Sequence, residues 1–309
     1  MHALHAAVLT IVVLFVALLL LDPRRPRLSL VYLRLVVLVA AALVVLSPFA
    51  WLVAAAFKDS SVLNEYLFFP PLGELSHQTV NLNNFRRLFR GESTLQGTVY
   101  FWQYLANSVF LATTTTVVQL FFSSLTGYAL AKYEFRGKAM VMLFVLGSMM
   151  IPGMVLVAPV YALMCRLQLV DSYWGLIVPG AISAYGVFLF RQAFMSVPDE
   201  LLDAGRVDGA GELRIYWSLV VPLVRPVSAA FCLVTFLGAW NAYLFPNILL
   251  QSRHKLTLPI VLNLYIEEFT NQMGVFLAGT LLAIVPPAIL FFALQREFIG
   301  GLTSGAVKG

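Results

Sequence analysis

The chain has 309 residues, of which 60% are hydrophobic and only 11% charged, and its net charge is +5. A soluble domain of this size would hold about 25% charged residues, so a soluble protein with a large core is excluded. The long apolar runs instead indicate a chain dissolved in a bilayer.

Charge-free windows occupy residues 1–21, 35–57, 93–131, 139–165, 172–190, 226–252 and 269–295. A helix needs about 20 apolar residues to cross ~30 Å of hydrocarbon, and most of these windows reach that length. They are continuous, whereas barrel strands alternate in segments of about ten residues. A helix also satisfies its own backbone within one segment, as hydrocarbon requires. The pattern therefore predicts an all-α membrane protein, a bundle of about seven transmembrane helices. They lie near 3–21, 33–56, 103–130, 140–163, 172–192, 227–249 and 275–295. The third helix is placed from Gln103, because the window opens with the polar and aromatic stretch STLQGTVYFWQ.

In the first window the positive charge follows the apolar run (DPRRPR, 22–27). A secretory signal would open with that charge, so residues 1–26 read as an uncleaved extra span ahead of residues 27–309. Orientation follows from the Lys and Arg of the connections. Segments 22–34, 132–138, 191–225 and 296–309 hold 13 of the 20, and segments 58–92, 166–171 and 253–268 hold the other 7. The first set is expected in the cytoplasm, which places the N-terminus outside and the C-terminus inside.

Much of the net charge is therefore topology signal, and no basic–aromatic motif for nucleic acid is present. Cys165 and Cys232 fall at or in different spans and read as small apolar residues. No phosphate-cradling P-loop occurs, since Gly137-Lys138 is followed by Ala139. HExxH, CxxC and GxSxG are also missing, and His2 and His5 lack a third metal ligand. The expectation is a chain that is not an enzyme and has no metal and no cofactor of its own. The spans hold no acid or base in their interiors, which argues against proton- or sodium-coupled transport. Among their polar residues, Asn107, Gln119 and Asn241 are candidates for a translocation path, with interhelical hydrogen bonding as the alternative. Pro152-Gly153, Pro159, Pro179-Gly180 and Pro286-Pro287 interrupt the spans, which fits a transporter that changes shape, although kinks also occur in static bundles.

Residues 198–226, PDELLDAGRVDGAGELRIYWSLVVPLVRP, concentrate eight charges in this apolar chain. Pro198 suits the start of a helix, and Asp199 and Glu200 meet its positive end. Gly209 reads as the stop, since glycine adopts the left-handed conformation that ends helices. A second helix is predicted over Ala210–Val220, ending before Pro222. The whole is a cytoplasmic helix–turn–helix. Ala204 and Gly205 would let another protein's backbone come close, and Asp203 would meet a cation there. An amphipathic linker on the headgroups is disfavoured, because anionic lipids attract Lys and Arg rather than acids.

The stretch resembles the cytoplasmic loop of bacterial ABC importer permeases: E-A-A, three residues, G, nine residues, I-x-L-P. The pattern is matched by Asp203-Ala204-Gly205, Gly209 and Leu219-Val220-Val221-Pro222. Asp203 replaces the longer Glu and Gly205 replaces Ala. The resemblance extends through ANSV (106–109), GYALAKYEFRGK (127–138), MMIP (149–152), FLFRQAF (188–194), Trp240-Asn241, TLP (257–259) and the tail FIGGLTSGAVKG (298–309). The tail is similar to the carbohydrate-uptake branch, in the second permease subunit of maltose-type importers.

That resemblance implies a six-helix permease core, to which residues 1–26 add a span. It implies a heterodimer with a second permease subunit in the bacterial inner membrane, and an ATPase subunit dimer that binds the ATP. An extracytoplasmic solute-binding protein would deliver substrate, and the aromatic loop 58–102 lies on the side to meet it. The coupling loop would act through Glu200, Asp203, Ala204, Gly205, Asp208, Gly209, Ala210 and Pro222. The tail, 296–309, reads as flexible from its glycines and would contact the ATPase through Thr303, Ser304, Lys308 and Gly309. A sugar or oligosaccharide is the implied cargo. Glycerol phosphate or another polyol is the alternative. An ion-coupled secondary transporter and a non-transporting scaffold are the competing classes, and an ATPase partner separates the first reading from both.

Overall fold

The computed structural model describes residues 27–59, 61–71, 73–94, 97–267 and 273–306. The expected span 3–21, the histidines near it, Lys308 and Gly309 lie outside the described residues.

The chain divides into two units, Met1–Asn84 and Phe85–Gly309. In the first, helix α1 (Arg27–Phe57) contains Pro48 and exposes apolar side chains over most of its length. After it the chain turns back around Lys58, whose buried ammonium donates to the carbonyls of Leu63 (3.2 Å) and Tyr66 (2.6 Å). Asn84 closes the turn by donating to the carbonyls of Ala56 and Lys58. The short helix α2 (Asn83–Leu88) and a two-stranded ribbon, β1 (Glu92–Thr94) against β2 (Gly97–Val99), occupy the expected loop. The fold is thus helical apart from this ribbon among the described residues.

In the second unit α3 (Phe101–Lys132) is the central helix and packs most extensively on α7 (Ala184–Met195) and α11 (Arg225–Trp240). The approach of α3 to α7 is set by Gly127, which is buried against Phe190 and the backbone of Arg191. Small residues at helix contacts in a membrane allow such close approach. The last long helix, α14 (Met273–Ala306), runs through Pro286 and Pro287 and packs against α11.

Three described helices are long and apolar enough to cross a membrane, or five if each of two bent pairs is one span. The predicted spans near 33–56, 103–130 and 275–295 are continuous helices. The one near 140–163 is broken. It consists of α4 (Lys138–Met149), a tight turn at Gly153–Leu156 and α5 (Val157–Arg166), with a bend of 95°. The residue before a proline is driven out of the helical region, and Ile151-Pro152 stands at that break. The span near 172–192 is likewise interrupted. The single turn α6 (Trp174–Ile177) is separated from α7 by Pro179 and Gly180. The span near 227–249 ends at Trp240 and resumes as α12 (Leu244–Leu249).

The loop needs a correction too. Its first helix, α8 (Asp199–Val207), follows Pro198 and ends before Gly209 at φ +77°. The predicted second helix is shorter and differently ended. It comprises α9 (Glu212–Ile215), a wide π turn at Tyr216–Val220 and α10 (Val221–Leu223), which contains Pro222. The π turn relieves the clash a proline ring makes with the preceding helical turn, so Pro222 does not end the helix. The break comes at Val224, where the chain bends by 82° into α11. The connection from Leu256 leads into α13 (Leu258–Glu267).

Candidate functional site

The loop 198–226 is held by an aromatic bed. Leu202 of α8 is buried with Ile215, Tyr216, Val220 and Val224 of the loop, Tyr128 of α3, Phe190 and Phe194 of α7, and Phe231 of α11. Tyr216 and Ser124 share a 2.6 Å hydroxyl–hydroxyl hydrogen bond beneath it. One apolar anchor thus ties α8 to three long helices, and in a close-packed core a displacement of one element is transmitted to its neighbours.

Gly205 is the second inward position. A Cβ there would meet Leu219 Cδ1 at 2.9 Å and Ile215 Cγ1 at 3.2 Å. The missing side chain is therefore used inside this chain, against its own second helix, and not to admit a partner's backbone. Positions 202 and 205 share one face. The opposite stripe, Glu200, Asp203, Ala204, Val207 and Asp208, is exposed. It is acidic, with Val207 standing 88% exposed among the carboxylates. Gly209 is also exposed and Ala210 is half-buried.

Ion pairs clamp both ends of α8. Lys132, at the end of α3, donates to Asp199 Oδ1 at 2.6 Å and to the carbonyl of Val197. The Lys132 ammonium beside Asp199 holds that exposed carboxyl below its ordinary range. At the other end the Arg206 guanidinium donates to Asp203 (2.8 Å) and to Glu212 (2.8 Å from Nε). The hydroxyl of Tyr133, the residue after α3, donates to Glu212 at 2.5 Å. Burial, together with Glu212, pushes the Tyr133 phenol well above its ordinary value, so it stays a donor. Asp203, the expected docking charge, is thus already paired in this chain. Lys132, Tyr133, Arg206 and Glu212 were not singled out in the sequence as site residues, although Lys132 and Tyr133 sit within the GYALAKYEFRGK stretch.

A second polar cluster lies at the opposite end of α3. Asp171, at φ +56°, accepts from the amides of Gln251 and Ser252 and from Lys255 Nζ, all at 2.9 Å. Asn107 donates to the carbonyls of His254 (2.8 Å) and Leu256 (3.0 Å), and Ser108 accepts from the amide of Leu258. The two ends of α3 therefore gather two different sets of connections. Segments 132–138 and 197–212 meet at one end, and 171 with 251–258 at the other, which is the grouping the charge count assigned to opposite sides. Burial alone would raise the Asp171 carboxyl, but hydrogen bonds from Ser252, Lys255 and Gln251 hold it well below the usual carboxylate range. A depressed carboxyl stabilises the fold above its unfolded value of ~3.9 and loses that contribution only as pH falls through the folded value. Asp171→Asn is therefore expected to destabilise the protein by about 2 kcal/mol, equally from pH 5 to pH 8. Thermal unfolding of detergent-solubilised protein across that range checks this, and a difference that grows between pH 8 and pH 5 would contradict it.

The three candidates for a translocation path each make a local contact of their own. Asn107 is committed to the 254–256 connection, and Asn241 caps its own helix by donating to the carbonyl of Leu237 at 2.9 Å. Gln119 is half-buried on α3 near Gly180. It lies 12 residues from Asn107, about 18 Å along the helix. Thr303 and Ser304 continue the helix α14, so the expected flexible tail is helical as far as Ala306. Among the described residues there is no group of His, Cys, Asp and Glu that would hold a metal ion.

Residues 119–298 match the family model described as binding-protein-dependent transport system inner membrane component. The chain is 38% identical to the arabinooligosaccharides transport system permease protein AraQ of Halalkalibacterium halodurans, covering 87% of this chain and 93% of the relative. It is 32% identical to the lactose transport system permease protein LacG of Rhizobium radiobacter, covering 88% and 94%. Among solved structures, a chain of a bacterial ABC transporter that imports the acidic polysaccharide alginate superposes with a TM-score of 0.74. The identity there is 24%, over 89% of this chain and 98% of that one. This likeness concerns the fold.

Proposed function

Because the chain belongs to the family of binding-protein-dependent transport inner membrane components, we propose that it is a permease subunit of an ATP-driven importer for an oligosaccharide, coupled to its ATPase through α8. What carries the coupling reading is the two-faced character of α8. Its inner face is locked by Leu202 and Gly205 into the aromatic bed on α3, α7 and α11, and its outer stripe is exposed and acidic. A force applied to the outer stripe by another protein is passed directly to three membrane helices. The cargo reading is supported by the relatives, whose transport systems are for arabinooligosaccharides and lactose.

In this reading a second permease chain completes the translocation path, an ATPase dimer binds below, and an extracytoplasmic protein delivers the solute. The end of α3 that carries Lys132 and Tyr133 is cytoplasmic, the Asp171 end extracytoplasmic, and the C-terminal end of α14 reaches toward the ATPase. Because Asp203 is paired with Arg206 in this chain, a docked cation would share or replace that pair.

The test is uptake of a labelled arabinooligosaccharide into proteoliposomes holding the complete importer, its ATPase and its binding protein. Uptake is expected to require ATP. Asp203→Lys, which repels both Arg206 and a docked cation, is expected to lower substrate-stimulated ATP hydrolysis about tenfold or more. Uptake driven by an ion gradient without ATPase, or full stimulation in Asp203→Lys, would count against the reading.

A further inference from the structure

A cavity of about 360 Å³ opens beside the loop and shares Phe194, Tyr216 and Val224 with the aromatic bed. Its walls are α3 from Val117 to Ser124, the loop at Trp217 and Val221, α11 from Arg225 to Cys232, and α14 at Leu294 and Glu297. The lining is almost wholly apolar. Two charges join it, Arg225 at the first residue of α11 and Glu297 on α14. Helices α3 and α11 run in opposite directions here, so Ser124 and Arg225 mark one end of the cavity and Val117 and Cys232 the other. That end is the loop's end of the membrane.

A sugar does not suit such walls, because its hydroxyls would be left without hydrogen-bond partners on apolar surface. An apolar trough about two helical turns long, roughly 10 Å, with one cation and one anion in its lining, instead matches a molecule with a hydrocarbon tail and a zwitterionic head. We propose that this cavity binds a phosphatidylethanolamine of the cytoplasmic leaflet, its tail along Val117, Phe121 and Val224, its phosphate on Arg225 and its ammonium on Glu297. The guanidinium is the side chain best shaped to hold a phosphate by two parallel hydrogen bonds. The carboxylate selects a primary ammonium, which donates hydrogen bonds, over a quaternary one, which cannot. The volume admits part of one chain and leaves the rest of the lipid in the bilayer. Tyr216, which is bonded to Ser124 beneath α8, also lines the cavity, so an occupant would touch the bed through which α8 moves the long helices.

The proposal rests on the cytoplasmic placement of the loop, and lipid retention reads it independently of transport. The complete importer is reconstituted in nanodiscs of phosphatidylethanolamine with phosphatidylglycerol, or of phosphatidylcholine with phosphatidylglycerol. Native mass spectrometry during stepwise delipidation then counts retained lipid. One phosphatidylethanolamine per copy of this chain is expected to outlast the others, with phosphatidylcholine lost early. Arg225→Gln and Glu297→Gln are each expected to lower retention about tenfold. Equal retention of the two zwitterionic lipids overturns the proposal, as does retention unchanged in both variants. No retained lipid at all also overturns it. The comparison of lipids uses the unaltered chain, so it decides the question even if a variant fails to assemble.

Discussion

Gly127→Leu is expected to prevent the second unit from assembling, and even Gly127→Ala is expected to cost about 1–3 kcal/mol. A Cβ at this position would sit 2.7 Å from Phe190 Cβ, 2.9 Å from the backbone nitrogen of Arg191 and 3.1 Å from the carbonyl carbon of Phe190. Two of these three atoms belong to the backbone of α7, which no rotamer change can move. The strain therefore falls on the crossing of α3 and α7, the most extensive helix contact among the described residues, and on the aromatic bed that shares Phe190 with it. The control is Gly238 on α11, where nothing lies within 4 Å of an added Cβ. Gly238→Ala exchanges a flexible residue for the best helix former and is expected to be neutral or to stabilise by up to about 1 kcal/mol. Membrane yield and thermal unfolding of the two alanine variants side by side provide the check. Equal behaviour would mean that the α3–α7 approach does not depend on the missing side chain.

Gly205→Leu is expected to abolish coupling while leaving the membrane helices folded. The Cβ contacts at Gly205 are of a different kind from those at Gly127, because all three are made with the side chains of Leu219 and Ile215. Leu219 Cδ1 is the far end of a flexible, partly exposed chain, so Gly205→Ala is expected to be mild. A leucine has no such room and would lift α8 from Leu202's pocket. The proposed ATPase contact would then push on a helix no longer seated against α3, α7 and α11. Substrate-stimulated ATP hydrolysis is expected to fall about tenfold or more in Gly205→Leu and less than about twofold in Gly205→Ala, with tenfold corresponding to ~1.4 kcal/mol of lost coupling. If the leucine variant transports normally, α8 does not act through this seat. If it is missing from the membrane, its effect is on folding and the expectation fails.

Much of the candidate site was legible in the chain. Pro198, the acids at 199 and 200, and Gly209 mark α8 by local rules of capping and backbone sterics, and its observed bounds agree. The prediction for Pro222 missed because a proline ring ends a regular α-helix, whereas the wider π turn at Tyr216–Val220 accommodates it. Tyr216 and Val220 of that turn are buried in the aromatic bed. Gly205 was read as an outward surface. Helical spacing puts 202 and 205 on one face, and only the packing of Leu202 and Gly205 shows that this face is the inner one.

By itself the amino-acid sequence determined that the chain lives in a bilayer and is helical, and it marked where the charged loop begins and turns. Those properties depend on composition, run length and neighbours a few residues apart. The tertiary structure decided which charges are already paired, as with Lys132 and Asp199, 67 residues apart, and Tyr133 and Glu212, 79 apart. It also decided that Asn107 holds the 254–256 connection. A polar side chain in a membrane protein takes the partner that packing brings within about 3 Å, and that partner is set by how the helices cross.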